Sequence, residues 1–284
     1  KCKRCDAVLV YHFAKKVLQC HYCGFNEAPP DICPKCRSGY IKYFGIGTEK
    51  VESELSRIFP QARFARMDTD STAKRGSHDR ILEEFKQHNI DVLVGTQMIA
   101  KGLDFPRVTL VGVVNADVTL NLPDFRASER TFGLLTQVAG RTGRGEGASE
   151  VIVQTYAPEN YAIEMASRHD YEGFFKREIA SRKLFEFPPY SKIIKFTFKA
   201  SKEQKAMDAA EAFAKLLRRK KACKVLGPAP SPVARVRGQY RWNILARIKP
   251  QKDFSLQLGQ IVAEFKRGTS RAFMIIDVDP IHIG

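Results

Sequence analysis

The chain has 284 residues, 44% of them hydrophobic, and a formal net charge of +16. At about 100–200 residues per domain, this length predicts roughly two domains. No apolar run approaches the ~18 residues of a membrane helix, so no membrane partner is expected. The first residues lack an initiator methionine and the apolar core of a signal peptide, so we expect the chain to begin inside a longer protein.

The positive charge is concentrated in the C-terminal third of the chain. Residues 181–284 hold 22 Lys and Arg against 8 Asp and Glu, whereas the rest of the chain holds 25 against 23. This asymmetry favours contact with a polyanion, because each neutralised phosphate releases counterions. A solvated basic surface that serves only solubility is the alternative.

The first 44 residues are predicted to form a Cys-rich module. Six of the seven cysteines lie there in three Cys-x-x-Cys pairs, Cys2/Cys5, Cys20/Cys23 and Cys33/Cys36. This spacing is typical of zinc ribbons, in which each loop offers two thiolates to a tetrahedral ion. Spacing alone allows the middle pair to join either neighbouring pair. The module is too small for much of a core, so metal would have to supply its folding energy. His12 and His21 are possible substitute ligands that we expect to be exposed, and Cys223 is interpreted as a small core residue.

Residues 45–157 alternate helical and strand patterns. Helices are predicted at 48–58, with Thr48 as N-cap, and at 73–88 and 131–139. Apolar strands are predicted at 62–67, 90–95, 108–114 and 150–155. Strands that are hydrophobic throughout and separated by helices indicate a parallel sheet covered on both faces.

After a mostly helical stretch at 158–184, the pattern changes. A strand is predicted at 192–199, a helix at 202–221, a hairpin at 233–236 and 240–248, a helix at 253–266 and a strand at 272–278. This order matches a ferredoxin-like split βαβ unit. The predicted domains are therefore a Cys-rich module (1–44), an α/β lobe (45–180) and a basic α+β domain (181–284).

Two motifs lie on the predicted α/β lobe. The first is GTQMIAKGLDFP at residues 95–106, directly after a buried strand. Thr96 could cap the next helix and bind a phosphate, Gly102 could allow close approach, and Asp104 could accept hydrogen bonds from a ribose. An ordinary strand–helix turn is the alternative.

The second motif is QVAGRTGRG at residues 137–145. Gln137 precedes Arg141 and Arg144, whose planar charged forks suit phosphate oxygens. A basic turn or an RNA-contacting patch would show the same residues. Further along the chain, the predicted hairpin combines arginines with an aromatic residue, a pattern that can hold a nucleic-acid backbone and stack a base: Arg235, Arg237, Arg241 and Trp242. The alternative is that the indole packs against the sheet and the arginines are solvated.

Together the two motifs resemble motifs V and VI of superfamily 2 helicases. Further strings extend the resemblance over nearly the whole chain to the PriA (primosomal protein N′) family of replication-restart DNA helicases: GIGTEK (45–50), MDTD (67–70), DFRASER (124–130), LGPAP (226–230), YRW (240–242) and DVDP (277–280).

The resemblance implies a RecA-like second helicase lobe with a zinc-binding insertion and a C-terminal DNA-binding domain. The family hydrolyses ATP with Mg²⁺, moves 3′ to 5′ along DNA, and promotes primosome assembly at stalled forks. Carried over, Gln137 would lie near the γ-phosphate or the attacking water, and Arg141 and Arg144 would stabilise the transferring phosphoryl charge. Gly102 and Asp104 would couple the nucleotide to DNA movement. Thr96 and Lys101 would contact the DNA backbone.

The implied partners are single-stranded and forked DNA, primosome proteins and single-strand DNA-binding protein, in a monomer of the bacterial cytoplasm. The family also carries four cysteine pairs that bind two zinc ions in a nested way. By that resemblance Cys2, Cys5, Cys20 and Cys23 make one complete site, and Cys33 and Cys36 are half of a second. The competing set joins the pairs at 20/23 and 33/36.

The sequence also departs from the family pattern. No Gly-x-x-x-x-Gly-Lys-Ser/Thr occurs, nor does the acidic magnesium box. Both belong to the family's first motor lobe, so we expect this chain alone not to hydrolyse ATP. A non-enzymatic zinc-ribbon DNA-binding or scaffold protein on a degenerate motor lobe is the alternative. Gln137, Arg141 and Arg144 favour the helicase, since a scaffold has no need for them.

Overall fold

The computed structural model describes residues 2–4, 9–12, 16–20, 23–33, 36–39, 47–68, 76–100, 108–140, 149–219, 223–249, 254–268 and 272–283. The chain divides into two compact units. Unit 1 comprises Lys1–Ile41, Pro123–Phe125 and Glu178–Gly284, and unit 2 comprises Lys42–Leu122 and Arg126–Arg177. The Cys-rich module and the basic C-terminal domain therefore belong to the same unit. Within the described part of the chain, no helix is both long and apolar enough to cross a bilayer.

The Cys-rich module contains a small antiparallel sheet. Its strands β1 (Val10–His12), β2 (Val17–Gln19) and β3 (Asn26–Glu27) lie in that order. Between β2 and β3 the chain turns at Gly24, whose φ of +71° favours glycine. The Gly24 N–H donates to the Cys20 carbonyl at 2.9 Å, and this turn returns Cys23 to the neighbourhood of Cys20.

The elements of the α/β lobe alternate as predicted. In chain order they are α1 (Thr48–Ile58), β4 (Phe64–Met67), α2 (Ser77–Lys86), β5 (Val92–Gly95), α3 (Gln97–Ala100), β6 (Leu110–Val113), α4 (Asp117–Leu120), α5 (Ala127–Ala139), β7 (Glu150–Val153), α6 (Tyr161–Ser167) and α7 (Tyr171–Leu184).

Strand pairing in this lobe is parallel. β4 pairs with β5, so that Met67 lies opposite Gly95, and β6 pairs with β7. The apolar cores beside these strands include Met67 and Leu82 in one cluster and Phe132 in another. Phe132 stacks on Phe174 of α7 with ring centroids 4.1 Å apart. Parallel strands alternating with helices confirm the predicted α/β class.

The C-terminal domain contains β8 (Lys192–Ala200), α8 (Glu203–Arg219), β9 (Lys224–Val236), β10 (Gln239–Ile248), α9 (Phe254–Arg267) and β11 (Phe273–Val278). Its sheet has the order β11-β8-β10-β9, and every neighbouring pair is antiparallel. This is the predicted ferredoxin-like arrangement, in which the third strand lies between the first and second.

Phenylalanine rings fill the core of this domain. Phe196 and Phe198 of β8 and Phe213 of α8 are fully buried, and the Phe213 ring meets that of Phe265 of α9 at 5.2 Å. Both helices therefore pack on the sheet face that carries the even-numbered residues of β8.

Two elements are longer than predicted. α5 begins at Ala127 rather than at residue 131, and β9 begins at Lys224 rather than at residue 233. The early part of β9 contains Gly227, Pro228 and Pro230, which are typical of turns. β9 is an edge strand, where proline is tolerated because one side of the strand needs no ladder partner.

Candidate functional site

The end of β5 is closely packed against the end of β4. A Cβ atom added at Gly95 would lie 2.4 Å from the carbonyl oxygen of Met67. Only glycine fits this approach, and the next residue, Thr96, is exposed immediately before α3. The Thr96 carbonyl accepts from the Ile99 N–H at 3.1 Å. Thr96 thus stands at the carboxyl end of a half-buried parallel strand, where α/β proteins bind ligands.

Gln137 lies in the last turn of α5, and its side chain is exposed although its neighbours Leu135 and Val138 are buried. The helix ends at Ala139, and the N–H of its C-cap residue Gly140 donates to the Thr136 carbonyl at 2.9 Å. This geometry leaves the Gln137 amide available to a ligand. The other residues predicted for this site lie outside the described residues: Lys101, Gly102, Asp104, Arg141 and Arg144.

An ion-pair network at the end of β4 was not predicted. The Arg66 guanidinium lies 3.0 Å from Glu49 and 3.0 Å from Asp68. The Thr48 hydroxyl donates to the same Asp68 carboxylate. Thr48 was predicted to be the N-cap of α1, and that prediction is wrong: Gly47 holds the N-cap position, and Thr48 is helical. The MDTD string at residues 67–70 was the available signal, because it places Asp68 where a strand ends.

The Cys-rich module brings three of the predicted ligands together. The sulfurs of Cys2, Cys20 and Cys23 all lie within 4.8 Å of one another, and those of Cys2 and Cys23 are 3.6 Å apart. Four sulfurs at about 2.3 Å from a tetrahedral zinc ion lie about 3.8 Å from one another. The three thiols therefore fit a zinc site, and Cys5, the expected fourth ligand, lies outside the described residues.

The third cysteine pair is placed differently. Cys33 is half-buried and Cys36 is exposed. Among the described residues, neither belongs to the cluster of Cys2, Cys20 and Cys23. The arrangement that joins the first two pairs is thus favoured over the competing one. The side chains of His12 and His21 lie outside what the structure describes.

The seventh cysteine, Cys223, lies outside the cluster of Cys2, Cys20 and Cys23. Burial raises the pKa of the Cys223 thiol, which packs against the C-terminal core. A protonated thiol is a poor nucleophile and a poor metal ligand, in keeping with a packing role.

Arg235 has partners in the Cys-rich module that the sequence did not predict. Its guanidinium donates to the carbonyl of Lys3 and, at 3.3 Å, to that of Arg4. It also lies over the Tyr240 ring, 5.5 Å from the centroid. Arg235 thereby holds the module against the β9–β10 hairpin, and the DNA contact predicted for it stays a prediction.

The structure does not bring the four predicted hairpin residues together. Trp242 is half-buried against the C-terminal core and lies opposite Phe198 in the strand register. Successive side chains of a strand point to opposite faces, so Arg241 lies on the other face, opposite Lys199. Burial, and next the nearby Arg241, lower the pKa of Lys195 on that same face.

A basic pocket lies beside the hairpin turn. Its volume is about 720 Å³, and it is lined by Lys3, Arg4, Cys23, Ser201, Arg235, Arg237, Gly238 and Tyr240. Of these, only Arg235 and Arg237 were predicted to contact nucleic acid. The available signal for the others was the pair of cations inside the first Cys-x-x-Cys knuckle, at residues 3 and 4.

The fold and these sites define a class of protein. It combines a helicase-type second lobe, a zinc ribbon and a basic ferredoxin-like domain. Residues 40–146 match the family described as Helicase conserved C-terminal domain. Residues 2–27 match the PriA DNA helicase Cys-rich region domain, and residues 183–281 match the Primosomal protein N C-terminal domain.

Whole-chain relatives agree with these matches. The chain is 44% identical to Replication restart protein PriA of Bacillus subtilis over 98% of its length, which is 35% of that relative. The protein of the same name from Synechocystis is 40% identical over 100% of the chain, a stretch that covers 34% of that relative. The one from Treponema pallidum is 42% identical over 99% of the chain, which covers 43% of that relative. The chain belongs to the PriA family, and it spans well under half the length of these relatives.

Proposed function

We propose that this chain is the second motor lobe, zinc ribbon and C-terminal DNA-binding domain of an ATP-dependent 3′–5′ DNA helicase that restarts stalled replication forks. The observation that carries the proposal is the exposed Gln137 side chain in the last turn of α5, directly before the two arginines of the motif. It lies within the segment that matches the helicase C-terminal family.

In this proposal, ATP binds between this lobe and a P-loop lobe. The P-loop lobe corresponds to a segment of the relatives that this chain does not cover. Gln137 orients the attacking water or the γ-phosphate, and Arg141 and Arg144 stabilise the charge that develops on the transferring phosphoryl group. Gly102 and Asp104 transmit the state of the nucleotide. Mg²⁺ would be held by the other lobe, since this sequence has no P-loop.

DNA contacts in the proposal are divided between the two units. Thr96 and Lys101 contact the backbone of the translocated strand. The basic C-terminal domain, with 22 Lys and Arg against 8 Asp and Glu in residues 181–284, binds single-stranded or forked DNA. Arg241 and Trp242 are secondary candidates because their side chains are partly buried.

Zinc has a structural role in the proposal. Cys2, Cys5, Cys20 and Cys23 hold one ion, and the pair at 33 and 36 is half of a second site, as the family resemblance implies. We further propose a monomer of the bacterial cytoplasm that assembles with primosome proteins and single-strand DNA-binding protein, as the family resemblance implies.

The ATPase role can be tested in a chimera in which this chain replaces the corresponding segment of the Bacillus subtilis relative, to which it is 44% identical. The chimera is expected to hydrolyse ATP when single-stranded DNA is added. The substitution Arg144→Ala should lower kcat on the order of 10³-fold, because an arginine that stabilises phosphoryl charge contributes about that much.

Arg168→Ala is the matched control, since that arginine is 70% exposed and forms a surface pair with Glu164. It should leave kcat unchanged. If Arg144→Ala stayed within about twofold of the parent, the arginine role would be wrong. Retained DNA binding without any ATPase activity would favour the scaffold alternative.

A further inference from the structure

The first knuckle of the Cys-rich module is fixed onto the tip of the β9–β10 hairpin. Arg235 donates to the carbonyls of Lys3 and Arg4, and the Gly238 N–H donates to the Arg4 carbonyl at 3.2 Å. Beneath these bonds Val233 and Val236 pack against the cluster of Cys2 and Cys20. Polar and apolar contacts therefore join two regions that are more than 200 positions apart in the chain.

This junction gathers four cations around the basic pocket. Lys3, Arg4, Arg235 and Arg237 line it, together with the Ser201 hydroxyl and Tyr240. Glu27 pairs with Lys3 at 3.3 Å, but the lysine side chain is 76% exposed. An exposed pair of this kind is weak, so an incoming anion can compete for the ammonium. Among the lining residues that the structure describes, cations therefore outnumber carboxylates.

The turn itself indicates a role for Arg237. Arg237 and Gly238 are the two turn residues and have φ of +50° and +79°. Two-residue turns with both φ values positive prefer Asn-Gly or Gly-Gly, because other side chains are strained there. Arginine at the first position is unfavourable for folding, which suggests that its charge in the pocket lining is used.

We propose that this pocket binds the phosphodiester backbone of single-stranded DNA. The inference rests on the proposed DNA-binding role of the C-terminal domain and assigns that role to a particular place. Three side chains supply the phosphate contacts, Lys3, Arg4 and Arg237, while Arg235 holds the wall that carries the first two.

The pocket recognises charge rather than base. One face of the Tyr240 ring is covered by the Arg235 guanidinium, so this aromatic offers less surface for stacking. The excess of positive charge continues over the rest of the C-terminal domain, which suits a long polyanion better than a short acidic peptide. Binding at the pocket is therefore independent of base sequence.

The test compares two triple variants of the whole zinc-loaded chain. The pocket variant carries Lys3→Gln, Arg4→Gln and Arg237→Asn. The side-chain changes at 3 and 4 keep the backbone carbonyls that Arg235 and Gly238 contact, and asparagine tolerates the positive φ at 237. The control variant carries Lys205→Gln, Lys215→Gln and Lys266→Gln, which remove the same charge from exposed helix positions.

Fluorescence anisotropy with labelled oligothymidylate of about 15 nucleotides, near the upper site size of a single-strand-binding OB fold, measures Kd from about 50 to 200 mM salt. Each lost phosphate contact lowers the slope of log K against log salt by about 0.7 on single strands. The pocket variant should lose about 2 in slope and bind roughly 100-fold more weakly at about 0.1 M salt. The control should lose less than about 0.7. An abasic oligomer should show the same difference.

The outcomes separate this site from the broader proposal. If the unaltered chain bound no oligonucleotide, the DNA role itself would fail. If it bound and both variants weakened equally, the domain would bind DNA without using this pocket. Pocket-dependent binding of a polyglutamate peptide, with no pocket-dependent binding of the oligonucleotide, would assign the site to an acidic protein partner and overturn the inference.

Discussion

Gly95 controls whether the end of β5 can lie against the end of β4. A Cβ atom there would lie 2.4 Å from the Met67 carbonyl oxygen and 3.0 Å from a methyl carbon of Ile99. The first neighbour is backbone in a paired strand and cannot move aside without breaking the ladder. Thr96 follows directly, so the same close packing fixes where a ligand-contacting residue emerges from the sheet.

Gly95→Ala should therefore destabilise the β4–β5 pair by about 3 kcal/mol, as expected for a buried overlap that only a backbone shift can relieve. Hydrogen exchange of the β4 and β5 amides measures the local free energy of opening. Gly112→Ala is the control, because a Cβ atom there meets no atom of the described residues within 4 Å. That change should stay within about 1 kcal/mol. Equal exchange in both variants would contradict the steric account.

At the scale of elements, α8 lies close to the C-terminal sheet because alanines form much of its buried face. Ala206, Ala210 and Ala214 are fully buried, and Ala210 and Ala214 pack beside Phe213 in the main core. Small side chains on the buried face let the helix backbone approach the strands, and the phenylalanine fills the remaining space between them.

Ala210→Leu should overfill this contact and lower the free energy of unfolding by about 1–3 kcal/mol. Ala212→Leu adds the same atoms to the exposed side of the helix and should stay within about 0.5 kcal/mol. Urea unfolding followed by Trp242 fluorescence gives both values. A smaller loss at position 210 than at position 212 would show that the helix does not pack tightly.

Sequence patterns predicted elements whose signal is local. The apolar strands and amphipathic helices carry their period in neighbouring residues, so α1 and the helix over 127–139 were recognised, the latter short by four positions. The start of β9 was missed because its glycine and prolines indicate a turn unless the edge position is known. The contacts of Arg235 could not be predicted, because its acceptors are backbone carbonyls more than 200 positions away. A sequence does not show where such carbonyls point in the folded chain.

At the scale of the whole molecule, the cluster of Cys2, Cys20 and Cys23 and the C-terminal domain share one compact unit. Val233 and Val236 of β9 pack against the cluster of Cys2 and Cys20, so a metal that orders the thiols also supports the hairpin. The α/β lobe up to Arg177, apart from Pro123–Phe125, belongs to the other unit and has its own apolar clusters. Loss of metal should therefore affect the two units unequally.

Zinc removal by a chelator is expected to lower the midpoint of thermal unfolding seen by Trp242, the only tryptophan of the sequence, which lies in unit 1. A loss of about 2 kcal/mol would shift the midpoint by roughly 4–8 °C for a unit of this size. Hydrogen exchange of β5 in the other unit should be unchanged. Cys20→Ser should mimic the chelator and abolish bound zinc, whereas Cys36→Ser, at an exposed thiol outside the cluster, should alter neither zinc content nor midpoint. Equal zinc loss in the two variants would instead support the competing ligand set of Cys20, Cys23, Cys33 and Cys36. If the Trp242 midpoint did not change when zinc was removed, the cluster would not stabilise the hairpin.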